Sequence, residues 1–131
     1  MPAARTPLDK LRRLCLALPE AHEAEAWGEP TFRVKNKLFA MYASSHTHHG
    51  DGRPGVWIKT KAVTQDLLLR ADPARYYFPP YAGKAGWTGV YLDDKPDWTD
   101  IADLLRDAYR LTAPKKLLAQ LELAKSPKQR R

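Results

Sequence analysis

Basic side chains in and beside predicted β-strands form the largest group of residues that could bind a ligand. The group comprises Arg33, Lys35, Lys37, Lys59, Lys61 and Lys84. Arg33 and Lys35 share one strand face by period-two alternation, and Lys59 and Lys61 do so if their strand continues. Several cations on one surface can bind phosphates, because each neutralised phosphate releases condensed counterions. The same side chains can instead be solvent-facing residues that keep a sheet edge from aggregating.

Residues 76–93 place aromatic rings and a cation directly before a strand-like run. Two consecutive prolines fix φ and several glycines permit positive φ, so the segment predicts a shaped turn. Tyr81 and Trp87, next to Lys84, could stack on bases or on another planar partner. Alternatively, these two rings pack the turn onto the sheet. The second candidate site is therefore a pocket around Tyr81, Gly83 and Trp87.

The sequence contains few residues arranged as metal ligands or as catalytic groups. One polar loop contains His46, His48, His49 and Asp51. A glycine-flanked loop offers little to orient zinc ligands, so we expect an exposed loop there. A late helix contains Asp100, Asp103 and Asp107, where the helix dipole favours acidic residues near the N-terminus. Cys15 lies on the apolar stripe of the first helix and is predicted to be inert. The sequence predicts no catalytic set, no metal site and no cofactor.

Size, charge and hydropathy restrict the class of protein. A chain of 131 residues with 44% hydrophobic and 28% charged residues predicts a single domain over residues 1–125 and a basic, disordered tail over residues 126–131. The net charge of +7 is concentrated in residues 33–84 and 114–131, an asymmetry that attracts polyanions. No apolar run approaches the roughly 18 residues needed to span a membrane. The N-terminus does not resemble a signal peptide, and a single cysteine suits a reducing compartment, so we expect a cytoplasmic location.

Hydrophobic periodicity and capping residues predict an α+β fold. A first helix begins after Thr6, with Pro7 and Asp9 completing its cap, and ends by Pro19. Strands are predicted at residues 23–27, 31–34, 37–44, 55–60 and 86–93. Further helices are predicted at 61–70, with Thr60 as a plausible cap, from 98 onward after an Asp97 cap, and at 115–124. In the last strand, Gly89 leaves room for the ring of Trp87 or for a partner. Tightly joined strands favour an antiparallel sheet covered on one face by helices.

The sequence resembles the MmcQ/YjbR family. The resemblance lies in residues 28–40, 56–60, 79–93, 107–110 and 113–117, in matching order and spacing over roughly residues 6–121. It implies a CyaY-like α+β fold in a small bacterial protein and a role in DNA binding through two hairpin wings. It implies no catalytic residue set. Some family members carry a formyltransferase label, but this chain is too short and lacks the sequence run that such enzymes use.

We therefore predict a non-enzymatic binding module with two candidate functions. In the first, the six cations hold the phosphates of DNA weakly and without sequence preference, and Trp87 or Tyr81 stacks on a base. In the second, a small molecule or a protein partner occupies the pocket around Tyr81, Gly83 and Trp87. The sequence does not distinguish DNA from RNA as the partner, and it does not indicate an oligomeric state. The deciding observation is whether the cations converge on one face beside an exposed Trp87.

Overall fold

The computed structural model describes residues 6–44 and 52–129, with residues 124–129 described as backbone only. The elements in chain order are α1 (Pro7–Leu16), β1 (His22–Ala26), β2 (Glu29–Val34), β3 (Lys37–Ala43), β4 (Gly55–Lys59), α2 (Ala62–Ala71), β5 (Tyr76–Tyr77), a 3-10 turn (Gly83–Ala85), β6 (Trp87–Tyr91), α3 (Trp98–Thr112) and α4 (Lys115–Gln129).

Within the described residues, six strands form one antiparallel sheet in the order β1-β2-β3-β4-β6-β5. The four helices and this sheet confirm the predicted α+β class. Residues paired across neighbouring strands lie on the same face of a sheet. One face contains Phe32, Ala40, Ile58 and Thr88, and the other contains Thr31, Met41, Trp57, Tyr77 and Gly89.

The helices pack on the face that contains Phe32 and Ile58, and together they form the main hydrophobic core. Tyr109 of α3 lies fully buried in this core. Its ring meets Phe39 edge-on with 5.9 Å between centroids, and its hydroxyl donates a hydrogen bond of 2.6 Å to the carbonyl of Pro19. Helix α3 is thereby fixed both to the sheet and to the segment that follows α1.

Local capping residues set the starts of α1 and α3 as the sequence predicts. The Thr6 hydroxyl accepts from the Asp9 amide, and the Asp9 carboxylate accepts from the Thr6 amide, so the capping box is complete. The Asp97 carboxylate accepts from the amides of Thr99 and Asp100. Each cap satisfies backbone donors that the first helical turn leaves unpaired.

Helix α2 begins differently from the prediction. The residue before its first turn is Lys61, whose side chain makes no capping hydrogen bond. Thr60, the predicted cap, instead donates its hydroxyl to the Gly86 carbonyl and shares a 2.8 Å hydrogen bond with the Thr88 hydroxyl. Tertiary partners on β6 therefore compete successfully with the local cap.

Two further elements differ from the sequence prediction. The two-residue strand β5 at Tyr76–Tyr77 was not predicted, because two residues carry no readable alternation. Helix α4 extends to Gln129, beyond its predicted end at residue 124 and through part of the segment assigned to the disordered tail.

Candidate functional site

A cavity of about 450 Å³ lies on the sheet face opposite the main core. We call this face the aromatic face. The cavity is lined by Trp27, Leu38, Met41, Trp57, Tyr81, Ala82 and Trp87. Its volume falls within the roughly 300–1,000 Å³ range of small-molecule sites. Its lining is almost entirely apolar, and indole rings contribute from three separate parts of the chain.

Trp27 reaches the cavity from a tight turn between β1 and β2. Ala26 pairs with Glu29, which leaves Trp27 and Gly28 as a two-residue loop with φ of 56° and 78°. Loops of this kind favour asparagine, aspartate or glycine, because both residues take positive φ. Trp27 is bulky and 65% exposed, so neither turn geometry nor core packing accounts for an indole at this position.

Tyr81 is held at the mouth of the cavity by the turn that follows two prolines. The Ala82 amide donates to the Pro80 carbonyl at 2.7 Å, and the Gly83 amide donates to the Pro79 carbonyl at 2.9 Å. Tyr81 has a φ of 68° and is 79% exposed. The sequence allowed this ring either to stack on a partner or to pack the turn onto the sheet. Its exposure fits the first alternative better than the second.

Trp87 is half-buried and packs against Met41 and Trp57 while lining the same cavity. The side-chain amide of Gln65 in α2 donates to the carbonyls of Gly83 and Trp87, each at 2.8 Å. One side chain thus ties the 3-10 turn to the first residue of β6. The wall formed by Ala82 and Trp87 is therefore held in place by hydrogen bonds within the protein.

The predicted roles of two glycines differ from those in the structure. A Cβ at Gly89 would overlap the ring of Tyr77, so the space beside β6 is filled by Tyr77 and not by Trp87 or a partner. A Cβ at Gly83 would overlap the ring of Phe78. Gly83 is therefore buried under an aromatic ring, and its neighbour Ala82 lines the cavity in its place.

The six predicted cations separate into groups. Strand register places Arg33 opposite Leu38 and Lys59 opposite Trp87, beside two residues of the cavity lining. Lys84 lies in the 3-10 turn between Ala82 and Trp87. We call Arg33, Lys59 and Lys84 the rim cations.

The other three predicted cations lie elsewhere. Lys35 is in the β2–β3 turn with φ of 48°, and its amino group forms a 2.9 Å ion pair with Glu20. Lys35 and Lys37 line a second cavity with Lys116, against the start of α4. Lys61 lines a third cavity, which Lys59 also borders, beside α3. The expected face-sharing of Arg33 with Lys35 does not occur, because β2 ends at Val34. Lys59 and Lys61 were expected to share a face only if their strand continued, and β4 ends at Lys59.

Arginines lie close to Asp100 and Asp107 of α3 and to its N-cap, Asp97. Arg75 lies 3.7 Å from Asp97 and 3.8 Å from Asp100, and Arg110 lies 3.0 Å from Asp107. Among the described residues, no group of three or more histidine, cysteine, aspartate or glutamate side chains is arranged to hold a metal ion. The loop with His46, His48, His49 and Asp51 lies outside the described residues.

Burial determines the chemistry of the single thiol. Cys15 is fully buried in the main core and forms no disulfide. Burial raises the pKa of the Cys15 thiol far above its ordinary value, because the thiolate would lose its hydration. The protonated thiol is a poor nucleophile, so this residue contributes packing.

The sequence prediction identified Tyr81 and Trp87 but missed Trp27 and Trp57. The signal for Trp27 was a Trp-Gly pair in the position of a two-residue hairpin turn, where tryptophan is unusual. The signal for Trp57 was its position between Val56 and Ile58. Successive side chains of a strand point to opposite faces, so Trp57 lies on the face opposite these two core residues. The signal for Trp27 required the observed ends of β1 and β2, whereas the signal for Trp57 was available from alternation within the predicted strand at residues 55–60.

A six-stranded antiparallel sheet with helices on one face and an aromatic cavity on the other defines an α+β protein with a ligand-sized site. The chain belongs to the YjbR family, whose family model matches residues 16–111. Of its described helices, none is long and apolar enough to cross a membrane.

Two solved structures share the fold. A Deinococcus radiodurans protein with a DUF419 domain is 24% identical, with a TM-score of 0.70 over 86% of this chain and 82% of that chain. A Pseudomonas syringae protein solved by structural genomics is 17% identical, with a TM-score of 0.57 over 79% of this chain and 97% of that one. No curated protein matches the sequence.

Proposed function

We propose that this protein is a non-catalytic binding module that takes a small ligand with an apolar body into the cavity on its aromatic face. The observation that carries the proposal is the convergence of Trp27, Trp57 and Trp87 on one cavity of about 450 Å³. Rings from three distant parts of the chain supply a large apolar contact area at little cost in side-chain entropy.

The exposed rings at the mouth support binding more directly than the cavity does. Leaving apolar surface in water forgoes roughly 25 cal/mol for each Å² that could be buried. Left-handed backbone at a bulky residue costs a further 1–3 kcal/mol or so. Trp27 and Tyr81 combine both features. A ligand lying between them would bury the exposed surface, and the free energy gained would offset the cost of this arrangement.

The lining residues favour binding over catalysis. Of the described residues that line the cavity, Tyr81 alone has an ionisable side chain. General acid–base chemistry needs a proton donor or acceptor aimed at the reacting atom. The buried free thiol of Cys15 accords with a reducing compartment, so we propose the cytoplasm as its location.

Calorimetric titration with 2-naphthamide, an uncharged two-ring probe, tests the proposal. We expect one saturable site, weakened about tenfold by Trp27→Ala and by Tyr81→Ala, since each removes one aromatic wall. Both changes keep a Cβ, so the strain of the positive φ is the same in each variant. Leu67→Ala is the matched control, because Leu67 is 61% exposed on α2 and does not line the cavity. No saturable binding at millimolar probe, or equal weakening by Leu67→Ala, would overturn the proposal.

Nucleic acid is the second candidate partner. The observation that favours it is the position of Arg33, Lys59 and Lys84 beside a face that exposes the Tyr81 ring. Sequence-tolerant binding of single strands combines base stacking on aromatic rings with phosphate contacts of this kind. Of the six predicted cations, three lie next to lining residues in the strand register or in the 3-10 turn, so the phosphate contacts would be fewer than the six that the sequence predicts.

Anisotropy titration with a labelled oligothymidine tests this second candidate. Three phosphate contacts predict an affinity loss of about twentyfold between 50 and 200 mM salt for a single strand. Lys59→Gln should weaken binding and lower the salt dependence, while Lys116→Gln, in the cavity against α4, should change neither. Absence of binding at 50 mM salt would rule this candidate out.

A further inference from the structure

We infer that the ligand of the aromatic cavity is an amphipathic anion, with a flat apolar body between the indole rings and one anionic group held by Arg33, Lys59 and Lys84. The inference rests on the proposed function and specifies its ligand class. Three observations support it. They are the strand topology, the lack of ion pairs at the rim cations within the described residues, and the positions of the acidic residues.

The topology brings the rim cations to one end of the cavity. Neighbouring strands in the order β2-β3-β4-β6 are antiparallel, so β2 and β4 end where β6 begins. Arg33 is the last but one residue of β2, and Lys59 is the last of β4. Lys84 precedes the first residue of β6 by one short turn. Three positive charges therefore lie at the same edge of the sheet, next to the Leu38 and Trp87 walls.

The rim cations are also available to a ligand. Within the described part of the chain, none of the three forms an ion pair, whereas Lys35 is paired with Glu20 and Arg110 with Asp107. The Nε of Arg33 donates to the Thr31 hydroxyl at 3.1 Å. That bond orients the guanidinium and leaves its terminal nitrogens free to donate to an anion, the geometry in which arginine binds carboxylate and phosphate groups.

An organic cation is the main competing ligand, because indole faces attract ammonium groups. The acidic residues argue against it. Among the residues that the structure describes, no carboxylate lines the cavity. Glu29, on the same face as Thr31, is at the far end of β2 from Arg33, is almost fully buried, and accepts two hydrogen bonds from Ser44 at 2.8 and 3.1 Å. With the chain at a net charge of +7, the field at the rim favours an anion.

The test compares three probes that share one two-ring body: 2-naphthoate, 2-naphthamide and 2-naphthylmethylammonium. In calorimetric titrations at pH 7.5 and low salt, we expect the anion to bind about tenfold more tightly than the amide, and the ammonium probe to bind most weakly. The anion's advantage should shrink in 0.5 M salt, since the rim is open to solvent.

Charge-removing variants assign the preference to the rim. Arg33→Gln, Lys59→Gln and Lys84→Gln should each lower the ratio of naphthoate to naphthamide affinity by about two- to fivefold, as partly exposed ion pairs do. Binding of the amide should not change. Lys116→Gln is the matched control and should leave the ratio unaltered. Thermal melts of the four variants verify that each is folded.

The outcomes separate this inference from the proposed function. Tight amide binding with no preference for naphthoate overturns the anion inference and leaves the proposed function intact. Failure of all three probes overturns both. Tightest binding by the ammonium probe overturns the inference in favour of a cation cage. An oligothymidine that displaces naphthoate and binds at least a hundredfold more tightly overturns it in favour of nucleic acid.

Discussion

The indole Nε1 of Trp57 donates a hydrogen bond to the hydroxyl of Tyr77 across 3.1 Å, beneath the cavity on the aromatic face. The Tyr77 ring then stacks on Tyr91 with 4.4 Å between centroids, and the Arg53 guanidinium lies 3.6 Å from the centroid of Tyr91. Arg53 in turn is bonded to Asp93. This chain of contacts connects Trp57, which lines the cavity, through β5 and β6 to the segments that precede β4 and follow β6.

Replacing Tyr77 by phenylalanine removes the hydroxyl and keeps the ring. We expect Tyr77→Phe to lower the free energy of unfolding by about 0.5–1.5 kcal/mol, the contribution of one such hydrogen bond. The stacking with Tyr91 should survive, so the change should stay well below that of Tyr77→Ala. Denaturant titration measures both variants. Equal losses in the two would contradict the assignment of distinct roles to hydroxyl and ring.

Adding a methyl group at Gly89 should be destabilising because of Tyr77. A Cβ at Gly89 would overlap the Tyr77 ring, and forced overpacking costs about 1–3 kcal/mol. A double-mutant cycle provides the control: in a Tyr77→Ala background, Gly89→Ala should cost much less. The prediction fails if the cost of Gly89→Ala is the same in both backgrounds.

Removing the amide of Gln65 should loosen the wall that carries Trp87. Gln65→Leu keeps the approximate volume and loses the two 2.8 Å hydrogen bonds to the Gly83 and Trp87 carbonyls. We expect a loss of about 1–3 kcal/mol in the free energy of unfolding, together with weaker 2-naphthamide binding. Val63→Ala, at a 63% exposed position on the same helix, is the control and should change neither measurement.

Cys15 should resist alkylation in the folded protein. Burial raises the pKa of its thiol, so the thiolate is scarce and the sulfur is inaccessible at pH 8. We expect negligible iodoacetamide labelling under native conditions and complete labelling in guanidinium chloride, measured by intact mass. Rapid labelling of the native protein would show that α1 leaves the core readily.

The Arg53–Asp93 pair should contribute to acid sensitivity. Two hydrogen bonds of 2.9 and 2.8 Å from the Arg53 guanidinium lower the pKa of the Asp93 carboxyl. A folded-state pKa below the unfolded value of about 3.9 stabilises the protein above that value, and the contribution is lost as pH falls through the lowered pKa.

Asp93→Asn should therefore lose less stability than the parent protein when the pH is lowered from about 5 to 3. Asp94→Asn, the neighbouring exposed aspartate without an ion pair among the described residues, is the matched control. Denaturant titrations at several pH values compare the three proteins. A parallel decline of Asp93→Asn and the parent would contradict the prediction.

Local chemistry made much of the fold readable from the sequence. The caps of α1 and α3 depend on side chains within three residues of the helix start, so Thr6 and Asp97 could be recognised directly. Strand alternation likewise separates Trp57 from Val56 and Ile58 without knowledge of the neighbouring strands. The α+β class and the resemblance to the YjbR family follow from these local signals taken in order.

The binding face, in contrast, was decided by tertiary structure. A strand end displaced by one residue changes which face a side chain shares, and this separated Lys35 and Lys61 from the rim cations. The Thr60 hydroxyl does not cap α2, because it forms hydrogen bonds with the Gly86 carbonyl and the Thr88 hydroxyl. Trp27 meets Trp87 at one cavity only after β1 to β6 have paired. No sequence spacing encodes that meeting, since it depends on the register and twist of the intervening strands.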